Sequence, residues 1–166
     1  MRVEIGKYSK DFKIIDNEEV ILKGIRPKWY SSEIRFFYKS KTYEIKKKGF
    51  WSTSFIILES GRQIGNINWG FKTGSKIVLK DTPEIPYELK KERVGKWYAS
   101  DRNYILSENG ETPVLTIQYS LKKWKEVITA EFTTKDNTDY VLLICALFLM
   151  KQQQSAENAS ASGGFS

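Results

Sequence analysis

The chain has 166 residues, 40% of them hydrophobic and 28% charged, the length and balance of one soluble domain able to bury a core. Histidine is absent and cysteine occurs once, at Cys145, which excludes histidine bases and ligands, an intrachain disulfide and a thiolate metal cluster. The net charge of +7 favours anionic partners, membrane or nucleic acid, without specifying a fold.

The first residues, MRVEIGKYSKDF, lack the apolar core of a signal peptide, so a cytoplasmic protein is expected. From residue 12 to about 132 the chain repeats short β-prone runs broken by turn residues. Strands are predicted over 12–16, 19–25, 34–38, 41–47, 50–58 and 62–69. Six more follow over 75–80, 86–91, 96–101, 103–108, 113–119 and 125–132. Several alternate with period two: Tyr43 and Ile45 oppose Thr42, Glu44 and Lys46, while Leu115, Ile117 and Tyr119 oppose Thr116 and Gln118. Alternation of this kind marks antiparallel sheet with one wet face. The linkers ESGRQ, SENGETP and KTGS are hairpin-sized, and regular short strands of this sort build a sandwich or a barrel.

Tyr140 to Met150 then runs for eleven residues without a charge. Asn137 or Thr138 can cap a helix here, with Asp139 in its first turn and Lys151 at its end. Eleven helical residues span roughly 16 Å, about half a bilayer's hydrocarbon thickness, so a membrane-spanning helix is not expected. A surface helix shows one apolar stripe, whereas this one is apolar all round and demands burial on every side. The remaining chain consists of short strands. A closed antiparallel β-barrel of about twelve strands around a hydrophobic helix 138–151 is therefore predicted, within a domain 1–151. Residues 152–166 are rich in Gln, Ser, Ala, Asn and Gly and are expected to be a disordered tail.

The segments FTTKDNTDYVLLICALFLM and FIILESGRQIGNI resemble the tubby-like C-terminal domain superfamily, which includes phospholipid scramblases and LURP-one-related proteins. The first matches a last strand leading through an acidic turn into a buried helix, and the second an aromatic-led hairpin. The resemblance implies the same barrel, and tubby-like domains bind membrane phosphoinositides through basic residues on its exterior. No lipid-site motif of that family maps residue by residue, and KDNTD, with Asp136 and Asp139, lacks the glycine and glutamate of a calcium loop. Fold resemblance alone does not assign function.

Three basic clusters adjoin aromatics: Lys46, Lys47 and Lys48; Lys90, Lys91, Arg93 and Lys96; Lys122, Lys123 and Lys125. Lysine beside Trp or Tyr suits anionic head groups at a membrane surface. The plainer reading is that such lysines keep strands soluble and blunt sheet edges. Nucleic acid ranks lower, because oligonucleotide-binding barrels have five strands and no enclosed helix. No catalytic arrangement, phosphate loop, metal site or cofactor is indicated, and Cys145 reads as an inert core residue. The expected function is a non-enzymatic module on anionic phospholipid, peripheral to the membrane. A structural or regulatory protein-interaction domain is the alternative. A lipocalin-like carrier is disfavoured because the helix would fill its cavity.

Overall fold

The computed structural model describes residues 1–6, 11–26, 33–49, 52–70, 74–80, 85–94, 101–122, 125–134 and 139–162, without the side chains of Arg93, Ala161 and Ser162. Twelve strands run in chain order: β1 (Arg2–Ile5), β2 (Asp11–Asp16), β3 (Glu19–Ile25), β4 (Ile34–Tyr38), β5 (Lys41–Lys47) and β6 (Ser54–Glu59). Then come β7 (Arg62–Asn68), β8 (Ser75–Leu79), β9 (Tyr87–Arg93), β10 (Arg102–Glu108), β11 (Thr112–Lys122) and β12 (Lys125–Phe132), followed by the helix α1 (Tyr140–Ser162). Each strand pairs antiparallel with the next, and β1 pairs with β12 through Arg2–Thr129 and Val3–Ile128, so the sheet closes into a barrel. Closure pairs every described strand with a neighbour on both sides, which removes the open edges of a flat sheet.

Alternation places the core. All twelve strands contribute to one buried cluster, from Val3 on β1 through Ile45, Ile67 and Leu106 to Ile128 on β12. Tyr140 to Met150 of α1, except half-buried Val141, belong to the same cluster. Phe148 meets Phe55 of β6 edge to face, with ring centroids 4.8 Å apart. Large rings in that geometry add roughly 0.5–1.5 kcal/mol beyond the area they bury.

The structure departs from the sequence reading in three places. Of the expected strand 96–101, residues 96–100 lie outside the described residues and Asp101 is outside any strand. Arg2–Ile5 is a strand that was not expected, pairing with β2 on one side and β12 on the other. Four residues carry too little alternation to announce a strand, and partners on both sides stabilise what local propensity does not. The helix cap is Asp139, whose Oδ1 accepts the N–H groups of Val141 and Leu142 at 2.9 and 3.1 Å. Asn137 and Thr138 lie outside the described residues.

The largest correction concerns the expected tail. Residues 152–162 continue α1 to Ser162, and 163–166 lie outside the described residues. Nucleation is the costly step of helix formation, and the packed apolar turns have already supplied it. The polar extension is also anchored: Lys91 of β9 pairs with Glu157, and Gln154 Nε2 donates to the Tyr104 hydroxyl at 3.4 Å. Its composition alone suggested disorder because those partners are remote in sequence.

In an uninterrupted antiparallel meander the connections alternate between the two ends of the barrel. At one end three hairpins turn on two residues with positive φ, Asn17–Glu18, Lys39–Ser40 and Ser60–Gly61, the geometry that matches strand twist. The chain also passes from β12 to α1 here, and the rings of Tyr140 and Tyr38 lie 5.2 Å apart. The opposite end holds the β1–β2, β3–β4, β5–β6, β7–β8, β9–β10 and β11–β12 connections. There Lys151 of α1 bonds Glu126 of β12.

Candidate functional site

By sequence, the stretches 6–10, 26–33, 48–53, 69–74, 94–101 and 123–124 hold eight Lys or Arg, two acidic residues and all five tryptophans, and most of these lie outside the described residues. Among the described residues the second end is distinguished by exposed lysines at the ends of β5, β11 and β12. Trp69 is half-buried against the core, and Trp29, Trp51, Trp97 and Trp124 lie outside the described residues.

The sequence clusters separate on this frame. Lys47 and Lys48 are exposed at the end of β5, while Lys46, one step back, is half-buried beside Ile56 of β6. Lys122 and Lys125 are exposed cross-strand neighbours closing β11 and β12. These four exposed lysines share the basic rim. Lys90 turns away, its Nζ donating to the Gly110 carbonyl at 2.8 Å toward the tight-turn end. Lys91 is committed to Glu157 of the helix, so it serves packing rather than the barrel exterior. The Arg93 side chain, Lys96 and Lys123 lie outside the described residues.

Exposed apolar side chains join the rim. Ile25 ends β3, Val94 follows β9, Leu121 lies near the end of β11 and Val127 near the start of β12. Leu121 is cross-strand from Glu126 and Val127 from Ser120, one and two steps from the Lys122–Lys125 pair. Exposed aliphatic groups among lysines make a surface with both hydrophobic and anion-attracting character.

A cavity of about 240 Å³ opens at the same end, between β1, β2, β12 and the emerging helix. Ile34, Ile128, Ile144, Leu147 and Phe148 line it, with Arg26, Glu126, Lys151 and Gln154 among its polar groups. Lys151 Nζ donates to Glu126 Oε1, which also accepts from the Tyr119 hydroxyl at 3.4 Å. The Tyr119 hydroxyl titrates above its ordinary range because burial disfavours the phenolate, and the Glu126 charge adds to the shift. Burial also pushes the Arg26 guanidinium down, with the nearby Glu126 charge partly offsetting it. Arg26 was not singled out in the sequence, although GIRPKWY mixes basic and aromatic residues as the three chosen clusters do.

Other chemistry-bearing groups are occupied structurally. Asp139 caps α1, and Cys145 is buried in the core, where desolvation first and the Asp139 charge second push its thiol well above the ordinary range. Among the described residues no three His, Cys, Asp or Glu side chains gather to hold a metal ion. Among the same residues no helix is long and apolar enough to cross a membrane. No family model, no curated protein and no solved structure matches the chain.

Proposed function

We propose that the protein is a non-enzymatic module that associates peripherally with anionic phospholipid, meeting the membrane with the basic end of its barrel. The observation that carries this reading is one rim on which exposed Lys47, Lys48, Lys122 and Lys125 stand with exposed Ile25, Val94, Leu121 and Val127. A membrane suits that mixture, since each Lys near an anionic surface contributes about 1 kcal/mol and aliphatic side chains insert among the head groups. The tight-turn end then faces away. This orientation refines the expected basic exterior to a rim and suits the cytoplasmic leaflet, where anionic lipids are enriched.

In this reading the apolar half of α1 occupies the barrel axis, as the tubby-like resemblance implies, and its role is structural. Contributions from all twelve strands to the cluster that contains Leu142 to Met150 support that arrangement. The test is co-sedimentation with phosphatidylserine-containing and purely phosphatidylcholine vesicles at low and high ionic strength. Binding to the anionic vesicles alone, weakened by salt, is expected. Equal and negligible binding to both would sink the lipid reading and leave a protein-interaction domain.

A further inference from the structure

The cavity at the basic end has a composition that membrane docking does not explain. Its floor is apolar on both sides, with Val3, Ile34 and Ile128 from the wall and Ile144, Leu147 and Phe148 from the helix. At its mouth Lys151 and Glu126 neutralise one another through their ion pair. Asp11 is exposed at the outer edge, where water screens it. Arg26 is half-buried, and the Glu126 charge, already shared with Lys151 and the Tyr119 hydroxyl, offsets its desolvation only in part. A guanidinium carries five donors, and a desolvated charge that is only partly compensated is costly. An anionic group beside Arg26 would remove that cost, with Gln154, Ser155 and Asn158 of α1 also lining the opening.

We infer that this cavity binds one acyl chain bearing an anionic head, with the chain against Ile144, Leu147 and Phe148 and the head against Arg26. A volume of about 240 Å³ falls just below the roughly 300 Å³ at which ligand pockets usually begin. It admits a single short chain and excludes a two-chain phospholipid. A free fatty carboxylate and a lysophosphatidate share the required chemistry, an apolar tail ending in an oxyanion that an arginine can grip from two sides. The helix that fills a carrier's usual cavity forms one wall of this one. Binding from solution needs no membrane, so the inference stands apart from the docking of the rim.

The experiment is calorimetric titration of the full chain with decanoate, with decanoyl lysophosphatidate and with neutral monodecanoylglycerol, each below its aggregation threshold. Saturable one-to-one binding of at least one anion is expected, with the glyceride at least tenfold weaker. Arg26→Gln should bring the anion down to the glyceride's level, and Ile5→Trp at the half-buried mouth should abolish binding of all three. The anion that binds identifies the source. A far-ultraviolet spectrum and an unfolding midpoint unchanged in both variants would show them folded, whether or not the rim binds vesicles. No saturable binding by the wild type would overturn the inference, as would equal affinity for anion and glyceride in wild type and Arg26→Gln.

Discussion

Lys151 Nζ lies 2.5 Å from Glu126 Oε1, joining α1 to β12 across twenty-five residues of chain at the basic end of the barrel. Lys151 is half-buried while Glu126 is exposed, and the Lys151 ammonium also stands 5.5 Å from the centre of the Tyr119 ring. The pair marks where the helix changes character, from apolar turns inside the common core to polar turns fastened by single contacts. Everything proposed for function lies around that point.

The buried half of α1 tolerates little. Leu143 is completely buried, so Leu143→Ala should cost about 2–5 kcal/mol, read from the midpoint of urea unfolding. Leu143→Asp should fail to fold, because it buries a carboxylate with no partner. A soluble Asp variant with a native far-ultraviolet spectrum would show that this face of the helix is accessible to water.

The polar extension should behave differently. Hydrogen exchange over residues 152–162 is expected to be faster than over Leu142–Met150 yet slower than in an unstructured peptide. Glu157→Ala removes the partner of Lys91 and should speed exchange in the extension, while lowering global stability by less than about 1 kcal/mol because the pair is partly exposed. Exchange at the unstructured rate in the wild type would restore the disordered tail.

Charge reversal tests the rim directly. Lys48→Glu, Lys122→Glu and Lys125→Glu together should weaken anionic-vesicle binding by at least a hundredfold, taking about 1 kcal/mol for each lysine lost. Lys39→Glu with Lys80→Glu, exposed at the opposite end, should leave binding within a few-fold. Equal losses in the two sets would point to net charge rather than a docking end.

Glu59 links stability to acid. Its Oε1 accepts from the Tyr43 hydroxyl at 2.7 Å and its Oε2 from Lys41 at 3.0 Å, and these interactions, the Tyr43 bond foremost, hold the carboxyl below its ordinary range. The unfolded state therefore binds the proton more tightly. The stabilisation is present in full above the ordinary carboxylate range and is lost as the pH falls through the lowered folded value. In Glu59→Gln the dependence of stability on pH should be shallower on the acid side and unchanged near neutrality. An identical acid limb in the variant would remove Glu59 from the account.

Cys145 should resist thiol reagents in the native protein and react only as the barrel unfolds, because burial excludes both reagent and thiolate. Labelling kinetics that match the unfolding rate in denaturant are expected. Rapid labelling without denaturant would mean that the core opens locally.

What the sequence by itself determined was the local grammar. Alternation in 41–47 and 113–119 identified strands because period two records a wet and a dry face within a single segment. The run from Tyr140 to Met150 demanded burial because no water-facing stripe exists in it. Closure was decided elsewhere, by a four-residue strand whose partners lie across the whole chain. The Met1 amino group donates to the Ala130 carbonyl, 129 residues away, a relationship that no window of sequence contains. The same holds at the candidate sites. Lys90 and Lys91 read like Lys122 and Lys125, yet register turned one toward Gly110 and the other onto Glu157. Arg26 attracted no notice until the fold set it beside a cavity. Local patterning fixes which face of a segment is dry, whereas strand pairing between distant residues fixes which charges share an end.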